Sequence, residues 1–287
     1  MMIRFVLVVP LLLACLSQAA WSQSAYVDIA DRYVREGNLD AAITEYYRHA
    51  YLHPDDESLS SVYTKLGIAC RDAGLLQPAL RAFSTAIEKS RSPIDRARVR
   101  IELALTHLVF DQPLQSQLVM MRLLASPPGD SLLMMRAHAI AGVACLLSHQ
   151  WNEAPGYLRQ WAGGRPEAVA QTEQLIAIIS DTSSIPHRSP TAAIIMSAII
   201  PGLGQIYCGE YLDGLNSMAL NGAMIFNMYS QIEQSRWVAL GLVGLPLVSR
   251  YYMGNLEHAE RYANEFNERA RRSFAAEIVR RFAEMNR

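Results

Sequence analysis

The sequence predicts an all-α chain: an α-solenoid of about four helix pairs with a capping helix, a small helical transmembrane domain of two or three spans, and an amphipathic C-terminal helix. Three observations carry that reading. Small and aromatic residues recur at intervals of 37, 37 and 38 residues through the first half of the 287-residue chain. A stretch of 21 residues without charge, 189–209, then opens the second half. Finally, apolar residues recur every third or fourth position close to the C-terminus. The expected segments are 1–22, a secretory signal; 23–180, the repeats with their cap; 181–190, a linker; 191–255, the membrane domain; and 256–287, an amphipathic cytoplasmic helix.

The opening residues MMIRFVLVVPLLLACLSQAAWSQ carry Arg4, an apolar core from Phe5 to Leu16, and small residues at Ala20 and Ser22. That is the three-part layout of a signal with cleavage after Ser22. An uncleaved anchor fits the same residues, as does a lipoprotein signal, since Leu-Leu-Ala precedes Cys15. All three readings place the residues after Ser22 outside the cytoplasm.

The repeats begin near Gln23, Ser60, Ala97 and Met135. Tyr26, Ala30, Tyr33, Gly37, Ala42, Tyr46 and Pro54 mark the first unit. Tyr63, Gly67, Gly74, Ala79, Phe83 and Ala86 mark the second. Leu103, Ala104, Met120 and Pro128 follow in the third, and Gly142, Trp151, Ala154, Leu158 and Pro166 in the fourth. Four such matches in register resemble the tetratricopeptide repeat family from about Gln23 to Pro166, which implies two antiparallel helices per unit. Small residues let paired helices approach and large ones fill the space between, while Glu167 to Ser180 is long enough to cap the stack. Asp111 and His149 stand where the family places a turn glycine, so distortion is expected in units three and four.

The resemblance also implies a concave groove lined by the first helix of each pair. Asp31, Arg35, Thr64, Arg71 and Asp72 fall on groove positions of units one and two, an ordinary solvated face. Units three and four place Ile101, Leu105, Leu108 and Val109, then Ala139, Val143, Leu146 and Leu147, on those positions. An apolar patch of that extent is expected to bind proteins or peptides outside the cytoplasm.

After the Ser- and Pro-rich linker, the charge-free run is long enough for one spanning helix. Tyr211 to Ile232 carries only Asp213, and Trp237 to Ser249 stays apolar up to Arg250. The final segment is rich in arginine, including Arg261, Arg269, Arg271, Arg272, Arg280, Arg281 and Arg287, in keeping with a cytoplasmic C-terminus of an inner-membrane protein. Pro201 with Gly202 and Gly204 frees backbone groups that only protein can re-satisfy in lipid. Asp213, Asn216 and Asn227 share one helical stripe, which must face protein or water, and Gly214 and Gly222 permit close helix approach. The pattern of Pro201, Gly202, Gly204, Gln205, Tyr207, Gly209, Asp213 and Gly214, with Asn216 beyond it, resembles a short domain of uncharacterised bacterial membrane proteins. It is similar, more distantly, to the domain family with two transmembrane segments. That likeness implies architecture, not activity.

Other classes find little support. A net charge of −1 leaves no basic face for nucleic acid. Cys70 and Cys145 occupy one repeat position two units apart, too far for a disulfide, whose Cα atoms lie roughly 6 Å apart. His49 and His53 lack a third metal ligand, and no HExxH, GxSxG or phosphate-loop motif occurs, so no cofactor, metal or catalytic residue is expected. The function implied is a membrane-anchored repeat scaffold of the bacterial envelope, with lipid and envelope proteins as partners. A transport or assembly subunit using Gln205, Asp213 and Asn216 is the alternative, and a lipidated envelope protein the third reading.

Overall fold

The computed structural model describes residues 25–234, Trp237 and residues 240–285. The signal-like residues 1–22 and the terminal Arg287 lie outside them. Every regular element among the described residues is helical. The chain divides into two compact units, one ending at Ile176 and the other beginning at Ala177.

In the first unit, α1 (25–35) pairs with α2 (Leu39–Leu52), α3 (Leu59–Asp72) with α4 (Leu76–Lys89), α5 (Pro93–Val109) with α6 (Pro113–Leu124), and α7 (Ser131–Leu147) with α8 (Ala154–Ala162). Each pair packs on the next in chain order, and the first helices α3, α5 and α7 also meet directly. Local chemistry sets the helix starts. The Asn38 side chain accepts from the Ala41 N–H, Ser92 accepts from Asp95 ahead of Pro93, and Asp130 accepts from Leu132 and Leu133. Each satisfies amides that a helix N-terminus leaves without a partner.

The repeat is written in the backbone. The turn within each pair is made by Gly37, Gly74, Asp111 and His149, all with positive φ, at 76°, 76°, 54° and 60°. At all four, the N–H of the following residue returns to a carbonyl five residues back: Asn38 to Tyr33, Leu75 to Cys70, Gln112 to His107, Gln150 to Cys145. This helix-ending motif usually takes glycine. Units three and four therefore keep the turn without it. The expected distortion does not occur there; the strain is instead borne locally by two left-handed side-chain-bearing residues.

The core follows the same register. A small residue on the first helix meets a large one on the second at Ala30 and Tyr46, Gly67 and Phe83, Ala104 and Met120, Gly142 and Leu158, and all eight are buried. A Cβ on Gly67 would lie 2.7 Å from the Phe83 ring, and one on Gly142 would lie 2.9 Å from Leu158. Ala42, Ala79, Ser116 and Ala154 repeat as fully buried small residues on the second helices. Cys70 and Cys145 are buried free thiols; burial pushes Cys145 up to about 12. The segment expected to cap the stack is helical, α9 (Pro166–Ser180), with Leu175 and Ile176 buried and Glu173 paired with Arg159 of α8 at 2.7 Å.

The second unit departs from the expected spans. The charge-free run is broken: α10 (Pro190–Ile199) ends, Pro201 and Gly202 turn the chain, and the short α11 (Leu203–Tyr207) follows. The backbone turns because Gly202 takes φ 95°, with an added Cβ blocked by the Gly214 carbonyl at 2.1 Å. Next come α12 (Tyr211–Glu233), a π-helical turn (Leu240–Gly244) and α13 (Leu245–Glu284). The end of the third apolar run, from Leu245, and the C-terminal amphipathic segment, separated at 255 and 256 in the expected organisation, form one 40-residue helix. Among the described residues no helix is long and apolar enough to cross a membrane.

Candidate functional site

The groove expected on units three and four is largely core. Ile101 and Leu146 are buried outright, and Leu105 and Leu108 pack against a cluster that joins α5, α6 and α7 through Ala97, Ile101, Met120 and Ala137. Val143, Leu147 and Ala139 are half-buried, and Val109 alone of the set is open, at 66% exposure. The error has a physical source. The first helices pack against one another as well as against their partners, so α5 and α7 carry apolar residues on more than one face.

What the first helices present instead is charge. Lys65 on α3 donates to Asp31 on α1 at 2.5 Å, Arg71 on α3 pairs with Glu102 on α5 at 3.2 Å, and Arg136 on α7 approaches the same Glu102 at 4.0 Å. A ladder of ion pairs thus crosses all four units. Burial works against ionisation of Asp31, but the Lys65 ammonium and the Tyr46 hydroxyl hold its carboxyl below the usual range. Asp31 and Arg71 were legible as groove positions; Lys65 and Glu102 share one repeat position 37 residues apart, beside the groove positions and not on them, and Arg136 was not singled out.

The second candidate site is built by the Pro-Gly motif. Asn255 of α13 lies buried at its centre. Its Oδ1 accepts from the Gly202 N–H at 2.9 Å, Gln205 Nε2 at 2.9 Å and Ser217 Oγ at 2.7 Å, while its Nδ2 donates to the Ser197 carbonyl at 3.1 Å. Ser197 Oγ donates to Gln205 Oε1 and accepts from the Gly204 N–H, each at 3.0 Å. Side-chain amides and hydroxyls thus re-satisfy the backbone groups freed at Gly202 and Gly204, as such a break requires. Asn255 gave no sequence signal, standing outside the motif by 41 residues from Gly214.

Small residues make the approach possible. A Cβ on Gly204 would meet the Ala193 carbonyl at 2.1 Å, and one on Gly214 would meet Ile206 at 2.5 Å. Gly222, expected to share this role, faces open space. Gly209 ends α11 in the same left-handed turn as the repeats, φ 91°. Tyr207 accepts from the Ser189 N–H at 3.2 Å and carries the Arg188 guanidinium over its ring at 4.8 Å. Asn267 clamps Arg188 by a reciprocal pair of backbone bonds at 2.7 and 2.8 Å.

Above the buried amides, α12 and α13 leave a cleft of about 450 Å³. Asp213, Asn216, Ser217 and Asn221 line it from α12; Arg250, Gly254, His258 and Tyr262 line it from α13. Asp213 accepts a short hydrogen bond from Tyr262. The structure thus brings Gln205, Asp213 and Asn216 to one cleft, but Asn227 is not there and bonds Gln231 along its own helix. Arg250 and His258 share this cleft with Asp213, a juxtaposition that sequence reasoning missed, since they lie over 35 residues away.

No family model matches the chain, and no curated protein matches it significantly.

Proposed function

We propose that this protein is a membrane-held scaffold of the tetratricopeptide type: its first unit binds protein partners, and its second unit is embedded in lipid. The observation that carries the reading is the inverted polarity of the second unit. Its interior holds Ser197, Gln205, Asn221, Asn255 and Asn267, while Leu212, Ile199, Leu242 and Phe226 are 74–79% exposed. Apolar surface on that scale is costly in water, at roughly 25 cal/mol per Å², and an interior of small and amide residues is how helices associate in lipid. The attachment proposed is through this apolar exterior, given that no described helix suffices to span. The signal-like 1–22 supports a location of the repeats outside the cytoplasm, in the bacterial envelope, where peptides or proteins would meet the charged ladder.

Flotation with phosphatidylcholine vesicles tests the membrane half. The full chain is expected to rise with the vesicles and to resist alkaline carbonate, and its release by carbonate would overturn the reading.

A further inference from the structure

We propose that the cleft between α12 and α13 binds the phosphate-bearing headgroup of an anionic lipid, with Arg250 as the phosphate ligand. The inference rests on the membrane reading above and names the lipid that the second unit selects.

The lining residues of α13 are Arg250, Tyr251, Gly254, Asn255, His258 and Tyr262, spaced by three or four along the helix so that they form one face. Gly254 sits in the middle of that face and in the interior of a long helix, where glycine costs about 1 kcal/mol relative to alanine. Gly202, Gly204 and Gly214 are explained by backbone contact, but nothing lies within 4 Å of a Cβ added at Gly254. Its absent side chain opens the cleft instead of admitting a neighbouring helix.

The amides on the floor, Gln205 and Asn255, are satisfied by each other and by the backbone. Arg250 and Asn216 make no hydrogen bond or ion pair with a described residue, whereas Arg261, Arg269, Arg272, Arg280 and Arg281 all hold carboxylates. The groups left over are thus a guanidinium fork suited to phosphate oxygens and an amide suited to hydroxyls of the same headgroup. At 1.5 Å per residue, Arg250 stands roughly 18 Å along the helix from Tyr262 and its Asp213 partner, so that carboxylate sits at the opposite end of the cleft from an anion at Arg250. The cleft lining also includes Leu220 and Tyr251, both exposed, and Phe226 on α12 and Leu247 on α13 are exposed as well, apolar surface for acyl chains.

The test uses the full chain in mild detergent and in vesicles. Phosphatidylglycerol is expected to raise its melting temperature and, mixed into phosphatidylcholine vesicles, to tighten binding at least tenfold. Arg250→Gln should lose that preference while keeping its melting temperature in detergent alone, and Gly254→Leu should lose it by filling the cleft. Arg261→Gln removes the same charge outside the cleft and should keep the preference. Equal losses in Arg250→Gln and Arg261→Gln would overturn the site in favour of diffuse charge. Protection by water-soluble glycerol phosphate equal to that by the lipid would overturn the lipid assignment. Flotation without any lipid preference would sink the cleft proposal alone; absence of flotation on every composition would sink the membrane reading beneath it.

Discussion

The two units solve the same problem, holding helices together, with opposite materials. In the first, Phe83 fills the space left by Gly67 and Leu158 the space left by Gly142, and charges such as Lys65 and Glu102 stay partly exposed. In the second, Asn255 gathers three hydrogen bonds on one oxygen while Leu212 and Phe226 face outward. Both use glycine for close approach, but the contact differs: an aromatic ring or isobutyl group in the first, and backbone carbonyls at Gly202 and Gly204 in the second. An apolar filler drives association only where the alternative is water. Where the outside is apolar, hydrogen bonds and close backbone contact must supply the specificity.

The largest expected effect breaks the first unit at a position the repeat pattern assigns to a groove. Leu146→Glu buries a carboxylate among apolar helices, a cost of several kcal/mol, and should abolish the cooperative melting of the first unit. Val109→Glu, on an open position, should stay within about 0.5 kcal/mol of wild type. Circular dichroism on heating checks both, and equal behaviour would put Leu146 back on a surface. Next in size, Asn255→Leu replaces an amide by an apolar group of similar volume. It strands the Gly202 N–H and the Gln205 amide, each worth about 1 to 3 kcal/mol when buried without a partner. Leu212→Asn, on the exterior, should leave folding in detergent nearly unchanged. In the first unit the hierarchy reverses, with Phe83→Ala expected to cost about 3 to 5 kcal/mol. Tolerance of Asn255→Leu would show that the second unit is held by its apolar contacts after all.

Acid sharpens the contrast further. Asp31 is held low by Lys65 and Tyr46 against the effect of burial, and Asp56 is held low, again against burial, by Ser58 and His49. A carboxyl whose folded pKa lies below its unfolded one, about 3.9, stabilises the fold above that pH, and the contribution is lost as pH falls through the folded value. The first unit should therefore lose stability below about pH 4, and Asp31→Asn should flatten that part of the profile. Denaturant melts of wild type and variant between pH 3 and 6 read the difference. Parallel curves would mean the pair with Lys65 contributes nothing.

The helix pairs were legible because the repeat states each constraint four times: the turn at Gly37 and Gly74, the small residue at Ala42 and Ala79, the large one at Tyr46 and Phe83. The groove was not, because periodicity tells which residues share a face but not which neighbour covers that face; Leu146 and Val109 look alike in sequence. In the second unit, Pro201, Gly202 and Gly204 announced a break and a need for replacement hydrogen bonds. The acceptors of the Gly202 and Gly204 N–H groups, Asn255 and Ser197, are ordinary residues in sequence, singled out only by the return of α13 to α10. The apolar run of 21 residues read as a span since length and hydropathy ignore a left-handed glycine in the middle.

The smallest effect has the opposite sign. Ser116 occupies the place taken by Ala42, Ala79 and Ala154 in the other units, and like them it is fully buried. Its hydroxyl has no hydrogen-bond partner among the described residues. A buried hydroxyl without a partner costs free energy that a methyl group of nearly the same size does not. Ser116→Ala should therefore stabilise the first unit by about 1 kcal/mol, a rise of roughly 2 to 4 °C in its melting temperature for a unit of this size. Ala79→Ser, placed at the equivalent position of the second pair, should cost a similar amount. The reciprocal design separates the buried hydroxyl from any peculiarity of the third unit. A gain in one with no loss in the other would mean that the four small positions are not equivalent, and that the core repeats less faithfully than the turns do.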